Sequence, residues 1–341
     1  MHKAILIFSL CLGSLSVGAQ VKEFVVEGHV NMPDGYSVGI CCHTDTAAAV
    51  VSVADGIIKG GKFLLKGKME QGQPGTLMTN NLELVEKNHW PTDSIHWTYT
   101  DIFLSPGEIK VDQNLHVTGG QIQQDWNEYQ SMQGKENRDW NFIDSHPQSV
   151  ISVFLANNLL KRGYRLTSEQ VDHLGNTIIS VPEDPKRMEE FKQRIAYAKK
   201  TTKGGELVDL ELNDTEGNLC HLVDVVPKNN KYVLVDFWAS WCGICIASMP
   251  EIKKLTEEYK SKFEVIAVSI DTKVDAWRKA MEKHPESWPQ YLTTKKGYQD
   301  LFEKYQVGIG VPYYIILTPD GKVLNSPSNP EAVREILEKY Q

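Results

Sequence analysis

Residues 232–251, YVLVDFWASWCGICIASMPE, decide how the rest of this 341-residue chain is read. Tyr232 to Trp238 is a short run of apolar, aromatic and β-branched residues, the pattern of a buried strand. It leads into Trp241-Cys242-Gly243-Ile244-Cys245, after which Ile246, Met249 and Ile252 recur at helical spacing. Two cysteines at C-x-x-C spacing, after a strand and at the opening of a helix, read as a redox site. The first thiol falls where backbone N–H groups are unpaired and the helix dipole is positive, which favours its thiolate.

Working outward, residues from Glu206 on read as mixed α/β. Leu207 to Leu212, Asn218 to Val223, Phe263 to Ile270 and Val311 to Leu317 are expected strands, with Asp320-Gly321 turning into Val323. Thr272-Lys273-Val274-Asp275 reads as a capping box for a helix carrying Trp277 and Met281. A short helix is expected around Leu301, Phe302 and Tyr305. Asn329 and Pro330 open a final helix with Val333, Ile336, Leu337 and Tyr340 on one face. The order β-α-β-α-β-β-α implies a sheet covered by helices on both faces.

Upstream, residues 121–200 read as a helical linker segment. Val150, Val153 and Phe154 fall at helical spacing, with Gly163 as the stop. Thr167 to Gln170 forms a capping box ahead of Val171 and Leu174, with Gly175 as the stop, and Pro185 opens a helix carrying Met188, Phe191 and Ile195. These stripes are packing surface and suggest no chemistry. Residues 20–120 read as all-β: Phe24, Val26 and Val30 alternate, as do Val38, Ile40 and Cys42, and Phe63 with Leu65. Turn signals at Pro33-Asp34-Gly35, Gly60-Gly61, Pro106-Gly107 and Gly119-Gly120 punctuate a small sandwich or barrel. Cys41 and Cys42 share a strand, so their side chains point to opposite faces and read as structural thiols.

Residues 1–19 have the grammar of a cleavable signal peptide. Met1-His2-Lys3 is basic, Ala4 to Leu15 is apolar, and Val17-Gly18-Ala19 supplies small residues before a cut at Gln20. No other apolar run is long enough to cross a bilayer. The net charge of −8, with no Lys/Arg cluster, argues against a nucleic-acid surface. The expectation is an exported, periplasmic chain, soluble or membrane-associated but not stably inserted. In an oxidising compartment the five cysteines outside the leader are too few for a disulfide scaffold in a chain of this length. Zinc needs four ligands and a second C-x-x-C or H-x-x-x-H is missing, so Cys220 and His221 read as strand residues and no metal site is expected.

The segment Asp236-Phe237-Trp238-Ala239-Ser240-Trp241-Cys242-Gly243-Ile244-Cys245, with Pro250 eight residues after Cys242, closely resembles the thioredoxin active site. Gly310-Val311-Pro312-Tyr313-Tyr314 resembles the cis-proline loop of that fold. Asp214-Thr215-Glu216-Gly217 adds the leading strands of exported TlpA/ResA-like thiol-disulfide oxidoreductases. The resemblance covers residues 201–341. Residues 20–120 resemble, more weakly, a β-rich domain of unknown function fused ahead of such domains in bacterial periplasmic proteins.

The resemblance implies roles. Cys242 is the nucleophile that forms a mixed disulfide with a disulfide-containing protein. Cys245, one turn into the helix and less exposed, resolves it, and the pair cycles as a redox-active disulfide with no bound cofactor. Asp236 matches a buried carboxylate whose raised pKa suits it to take the Cys245 proton. Trp241, Gly243, Ile244, Val311 and Pro312 face the substrate, and a membrane thiol carrier supplies electrons. An ordinary cysteine, with pKa ~8.5, is only ~3% thiolate at pH 7, which is why the helix start matters. Two positions depart from the common pattern: Ile244 stands where many relatives have Pro, and Ile246 where they often have Lys or Arg. Two rival readings remain open. A thiol peroxidase related to the peroxiredoxins would show Thr three residues before its cysteine, where this chain has Ala239. Alternatively the β-rich domain binds a ligand and the thioredoxin-like part is its scaffold.

Overall fold

The computed structural model describes residues 21–43, 50–161, 163–305 and 310–340. The expected signal peptide and its cleavage point lie outside the described residues. Contacts group the described residues into two compact units, one within residues 21–42 and 51–124, the other mainly within residues 125–340.

The first unit holds β1 (Lys22–His29), β2 (Ser37–His43), β3 (Val50–Ile57), β4 (Lys62–Met69), β5 (Gln73–Asn80), α1 (Leu82–Asn88), β6 (Trp97–Leu104), β7 (Gly107–Val111) and β8 (Val117–Gly119). They form two four-stranded sheets, β4-β1-β7-β8 and β3-β2-β5-β6. Phe24 and Val26 from β1, Leu65 from β4 and Ile109 from β7 share one core with Ile40 from β2, Leu77 from β5 and Ile102 from β6. Alternation buries one face of each sheet, and the two buried faces meet, so the unit is a sandwich rather than a barrel. Helix α1 is absent from the all-β expectation.

The second unit begins with helices. α2 (Gln121–Ser131) carries the chain in from the sandwich. It is followed by α3 (Arg138–Ser145), α4 (Val150–Leu159), α5 (Ser168–Thr177) and α6 (Pro185–Ala198). The Thr167 capping box forms as read: its side chain accepts from the Gln170 N–H while the Gln170 side chain accepts from the Thr167 N–H. Two expected stops are displaced. Gly175 lies inside α5, which runs on to Thr177. α4 ends at Leu159, short of Gly163.

The rest is a seven-stranded sheet with helices. Its elements are β9 (Glu211–Asn213), β10 (Leu219–His221), α7 (Leu222–Val225), β11 (Tyr232–Trp238), α8 (Gly243–Glu258), β12 (Phe263–Ser269), α9 (Val274–Lys283), β13 (Gln290–Thr293), α10 (Lys295–Tyr305), β14 (Tyr313–Leu317), β15 (Val323–Asn325) and α11 (Pro330–Lys339). The order is β10-β9-β13-β12-β11-β14-β15, with β11, β12 and β13 parallel and β14 antiparallel to β11. β11 is central and buried along almost its whole length, as its unbroken apolar run predicts.

Three local expectations change here. The stretch expected as a strand from Leu207 pairs only from Glu211, because the Val208 backbone bonds to tyrosine hydroxyls instead: its N–H donates to Tyr164 Oη at 2.8 Å and its carbonyl accepts from Tyr305. α9 starts at Val274 with Lys273 before it and no side-chain cap, so the Thr272 box does not form. β13, with its short Gln290-Tyr291-Leu292-Thr293 sequence, carries too little alternation to be read in advance.

Candidate functional site: a disulfide at the start of α8

Strand β11 delivers the site. Its last residue, Trp238, is buried, and the indole N–H donates to Gln290 Oε1 at 3.2 Å. The chain then turns through Ala239-Ser240-Trp241 into α8, and the Cys242 N–H donates to the Ala239 carbonyl at 3.0 Å. Cys242 is the residue before the first helical turn. Its Sγ accepts from the Cys245 N–H at 3.1 Å, so sulfur satisfies one of the orphan donors of the helix start. Negative charge developing on that sulfur meets an N–H and the positive end of the helix.

Cys242 and Cys245 are joined as a disulfide, with 5.3 Å between their Cα atoms. The expected contrast in exposure is slight: Cys242 is 6% exposed and Cys245 2%. Around them the surface is apolar and open. Trp241 is 66% and Ile244 71% exposed, and Gly243 is exposed too. Trp241 is therefore not a packed core residue. Pro250 lies inside α8, as the resemblance implies.

Across the dithiol lies the loop before β14. The Val311–Pro312 peptide is cis, and the Val311 carbonyl oxygen is 3.4 Å from Cys242 Sγ. Val311 and Pro312 are half-buried and precede the first ladder pair, Phe237 with Tyr313, so their polar backbone is free of the sheet.

Asp236 stands on β11, two residues before its end, and is 2% exposed. Its Oδ1 has no hydrogen-bond partner. Burial alone pushes its carboxyl up to about 7. Across the ladder it faces Tyr314, whose buried hydroxyl is held above the ordinary phenol range by desolvation and then by the Asp236 charge. The structure thus brings Cys242, Cys245, Trp241, Gly243, Ile244, Val311 and Pro312 to one place, with Asp236 on the strand that leads into it.

Two site-supporting residues escape a linear reading. Asp271, just past β12, is buried; its Oδ2 accepts from the Ser240 N–H at 2.8 Å and from Ser269 Oγ at 2.7 Å, and its Oδ1 from Ser240 Oγ at 2.7 Å. Tyr314 is the other. A sequence signal exists only for Asp271, an acid directly after an apolar strand running parallel to β11.

The remaining thiols are remote in kind from this pair. Cys41, Cys42 and Cys220 are free, and burial pushes Cys42 up to about 11. Cys220 Sγ donates to the Leu212 carbonyl at 3.6 Å, and His221 is paired with Asp209 at 2.6 Å. Among the described residues no group of three His, Cys, Asp or Glu side chains is arranged to hold a metal, and no helix is long and apolar enough to cross a membrane.

Comparison with known proteins agrees with this geometry. Residues 229–323 match a thioredoxin-like family model. The chain is 30% identical over 138 residues to thiol-disulfide oxidoreductase ResA of Bacillus thuringiensis, covering 40% of this chain and 75% of that protein. To ResA of Bacillus subtilis it is 26% identical over 124 residues, covering 36% and 65%. Among solved structures, the thioredoxin domain of a thiol-disulfide oxidoreductase from Bacteroides vulgatus is 30% identical, with 40% of this chain and 96% of that one covered and a TM-score of 0.37. With a dithiol at a helix start, a facing proline loop and a ResA relative matched over three-quarters of its length, the chain belongs to the thioredoxin-like thiol-disulfide oxidoreductases of the ResA type.

Proposed function

We propose that this protein is an exported, periplasmic enzyme that reduces disulfides in other proteins. The observation that carries this reading is the Cys242–Cys245 pair at the start of α8 beneath an exposed Trp241 and Ile244. In the reduced enzyme, Cys242 thiolate attacks one sulfur of the substrate disulfide. A mixed disulfide forms, and the other substrate sulfur leaves as a thiolate and takes a proton from solvent. Asp236 carboxylate then accepts the Cys245 proton. Cys245 thiolate attacks Cys242 Sγ, the Cys242–Cys245 bond closes, and the second substrate thiolate departs. Two electrons pass from enzyme to substrate, and a membrane thiol carrier restores the dithiol.

The Val311 backbone is placed to bond an extended substrate chain beside the reacting sulfur. A carboxyl near 7 is matched to proton transfer at neutral pH, where both of its forms are populated. The chain requires no cofactor for this chemistry, because the dithiol itself carries the electrons. The test is insulin reduction by the chemically reduced protein, together with a Cys245→Ser variant. Turnover by the wild type and a trapped mixed disulfide on Cys242 in the variant are the expected results. A wild type that leaves insulin intact rules the reading out.

A further inference from the structure

The loop that faces the dithiol is held from behind by the helical segment. Tyr313 follows Pro312 directly, and its hydroxyl donates to the Gly163 carbonyl at 3.0 Å in a buried bond. Gly163 returns an N–H to the Tyr305 carbonyl at 2.7 Å. A Cβ on Gly163 would lie 3.0 Å from that same carbonyl oxygen and 3.1 Å from Thr201 Cβ, so a glycine is what lets the segment come this close.

The next residue doubles the anchorage. Tyr164 is fully buried at φ 61°, a backbone conformation uncommon for an aromatic side chain. Its N–H donates to the Thr201 carbonyl at 2.5 Å, and its hydroxyl donates to the Glu206 carbonyl at 3.0 Å while accepting from the Val208 N–H. The rings continue inward. Tyr164 meets Tyr305 edge-on at 5.7 Å, Tyr305 meets Phe237 at 5.9 Å, and Phe237 stacks on Tyr313 at 5.6 Å. A connector that merely spaced two domains would need no such set of buried polar bonds.

We propose that the helical segment is a positioning element of the redox site: through Gly163 it fixes Tyr313, and so the Val311-Pro312 backbone beside Cys242. The inference rests on the oxidoreductase reading above and adds to it a part that controls the capture of polypeptide disulfides. Val311 and Pro312 lie outside the β11–β14 ladder, so their placement depends on how Tyr313 is held. A polypeptide substrate touches both loop and dithiol, whereas a small disulfide needs only the dithiol. Loosening the loop therefore separates the two classes of substrate.

The experiment uses the full chain and the variants Tyr313→Phe and Gly163→Ala. Tyr313→Phe keeps the ring and removes the hydroxyl that donates to the Gly163 carbonyl. Its turnover of 5,5′-dithiobis(2-nitrobenzoate) is expected to stay within about twofold of wild type, while its KM for insulin rises about fivefold or more, the sign of lost binding rather than lost chemistry. Gly163→Ala moves the same way and further. An unchanged insulin KM in Tyr313→Phe overturns the proposal, as does an equal loss on both substrates. Amide hydrogen exchange at Gly310 and Val311 gives a second reading that needs no substrate. Faster exchange in Tyr313→Phe supports the proposal and equal exchange overturns it. This arm still decides if wild-type protein fails to reduce insulin, an outcome that sinks the reducing function separately.

Discussion

Asp271 accepts both hydrogens that Ser240 can offer, one from its backbone N–H and one from its hydroxyl, and so clamps the turn two residues ahead of Cys242. The third bond, from Ser269 Oγ, fills the remaining side of a buried carboxylate. Asp271→Asn removes the charge and one acceptor oxygen from this buried three-bond site, at a cost of about 1–3 kcal/mol. The expected result is a fall of about tenfold in kcat/KM on small disulfides at a temperature well below unfolding, with Ser240→Ala less affected because it keeps the backbone bond. Steady-state rates measured beside thermal melts check this. A variant with wild-type kcat/KM shows that the clamp does not govern the loop.

With Asp236 as the proton acceptor proposed above, stability and activity are expected to run in opposite directions with pH. Its folded carboxyl sits near 7, raised from an ordinary 3.8, so between those values the folded protein binds a proton that the unfolded chain has lost. Stability is then full below about pH 4, declines as pH rises toward 7, and has lost about 4 kcal/mol from this group above that. The proposed resolving step needs the carboxylate, so its rate is expected to climb over the upper part of the same window. Asp236→Asn is expected to flatten the stability profile, to gain a few kcal/mol over wild type at pH 8, and to lose the rise in rate. Urea unfolding at pH 5 and pH 8 is the check, and equal pH dependence in the two proteins would falsify the assignment.

Gly297 tests packing against propensity. It lies in the first turn of α10, where alanine would normally add about 1 kcal/mol to a helix. A Cβ there would stand 2.0 Å from the Glu211 carbonyl oxygen of β9. The backbone cannot yield that far without moving α10 off the sheet. Gly297→Ala is therefore expected to lower stability by about 2 kcal/mol or more despite its better propensity. Chemical denaturation decides the sign.

The free thiols should react in an order set by burial. Cys42 is held near 11, and desolvation also raises Cys41 and Cys220, though both are only half-buried. At pH 8 iodoacetamide is expected to leave Cys42 unmodified in the oxidised native protein. After reduction Cys242 is expected to react ahead of all three. Peptide mapping after timed quenching reads the order directly; early labelling of Cys42 contradicts it.

Much of the site was legible because its parts are local. The strand into Cys242, the helix after it and the Thr167 and Asn329 caps are each specified by residues within one or two turns of one another. What stayed hidden depends on distant partners. Asp271 meets Ser240 from 31 residues away, and Tyr313 meets Gly163 from 150. Leu207 to Leu210 alternate like a strand, yet tyrosine hydroxyls take the backbone bonds that a neighbouring strand would have made. In each case a tertiary contact outranked the local preference.

In the function proposed above, the near-complete burial of Cys242 and Cys245 acts as a filter on geometry before redox potential enters. A disulfide can be exchanged only if a sulfur can be brought end-on to Cys242 between Trp241 and the Val311 carbonyl. A bond carried on a loose or extended segment can make that approach. One lying flush in a rigid, folded surface cannot, however favourable its reduction. In that proposed exchange, steric reach is expected to favour disulfides on loose segments over those lying flush in a folded surface.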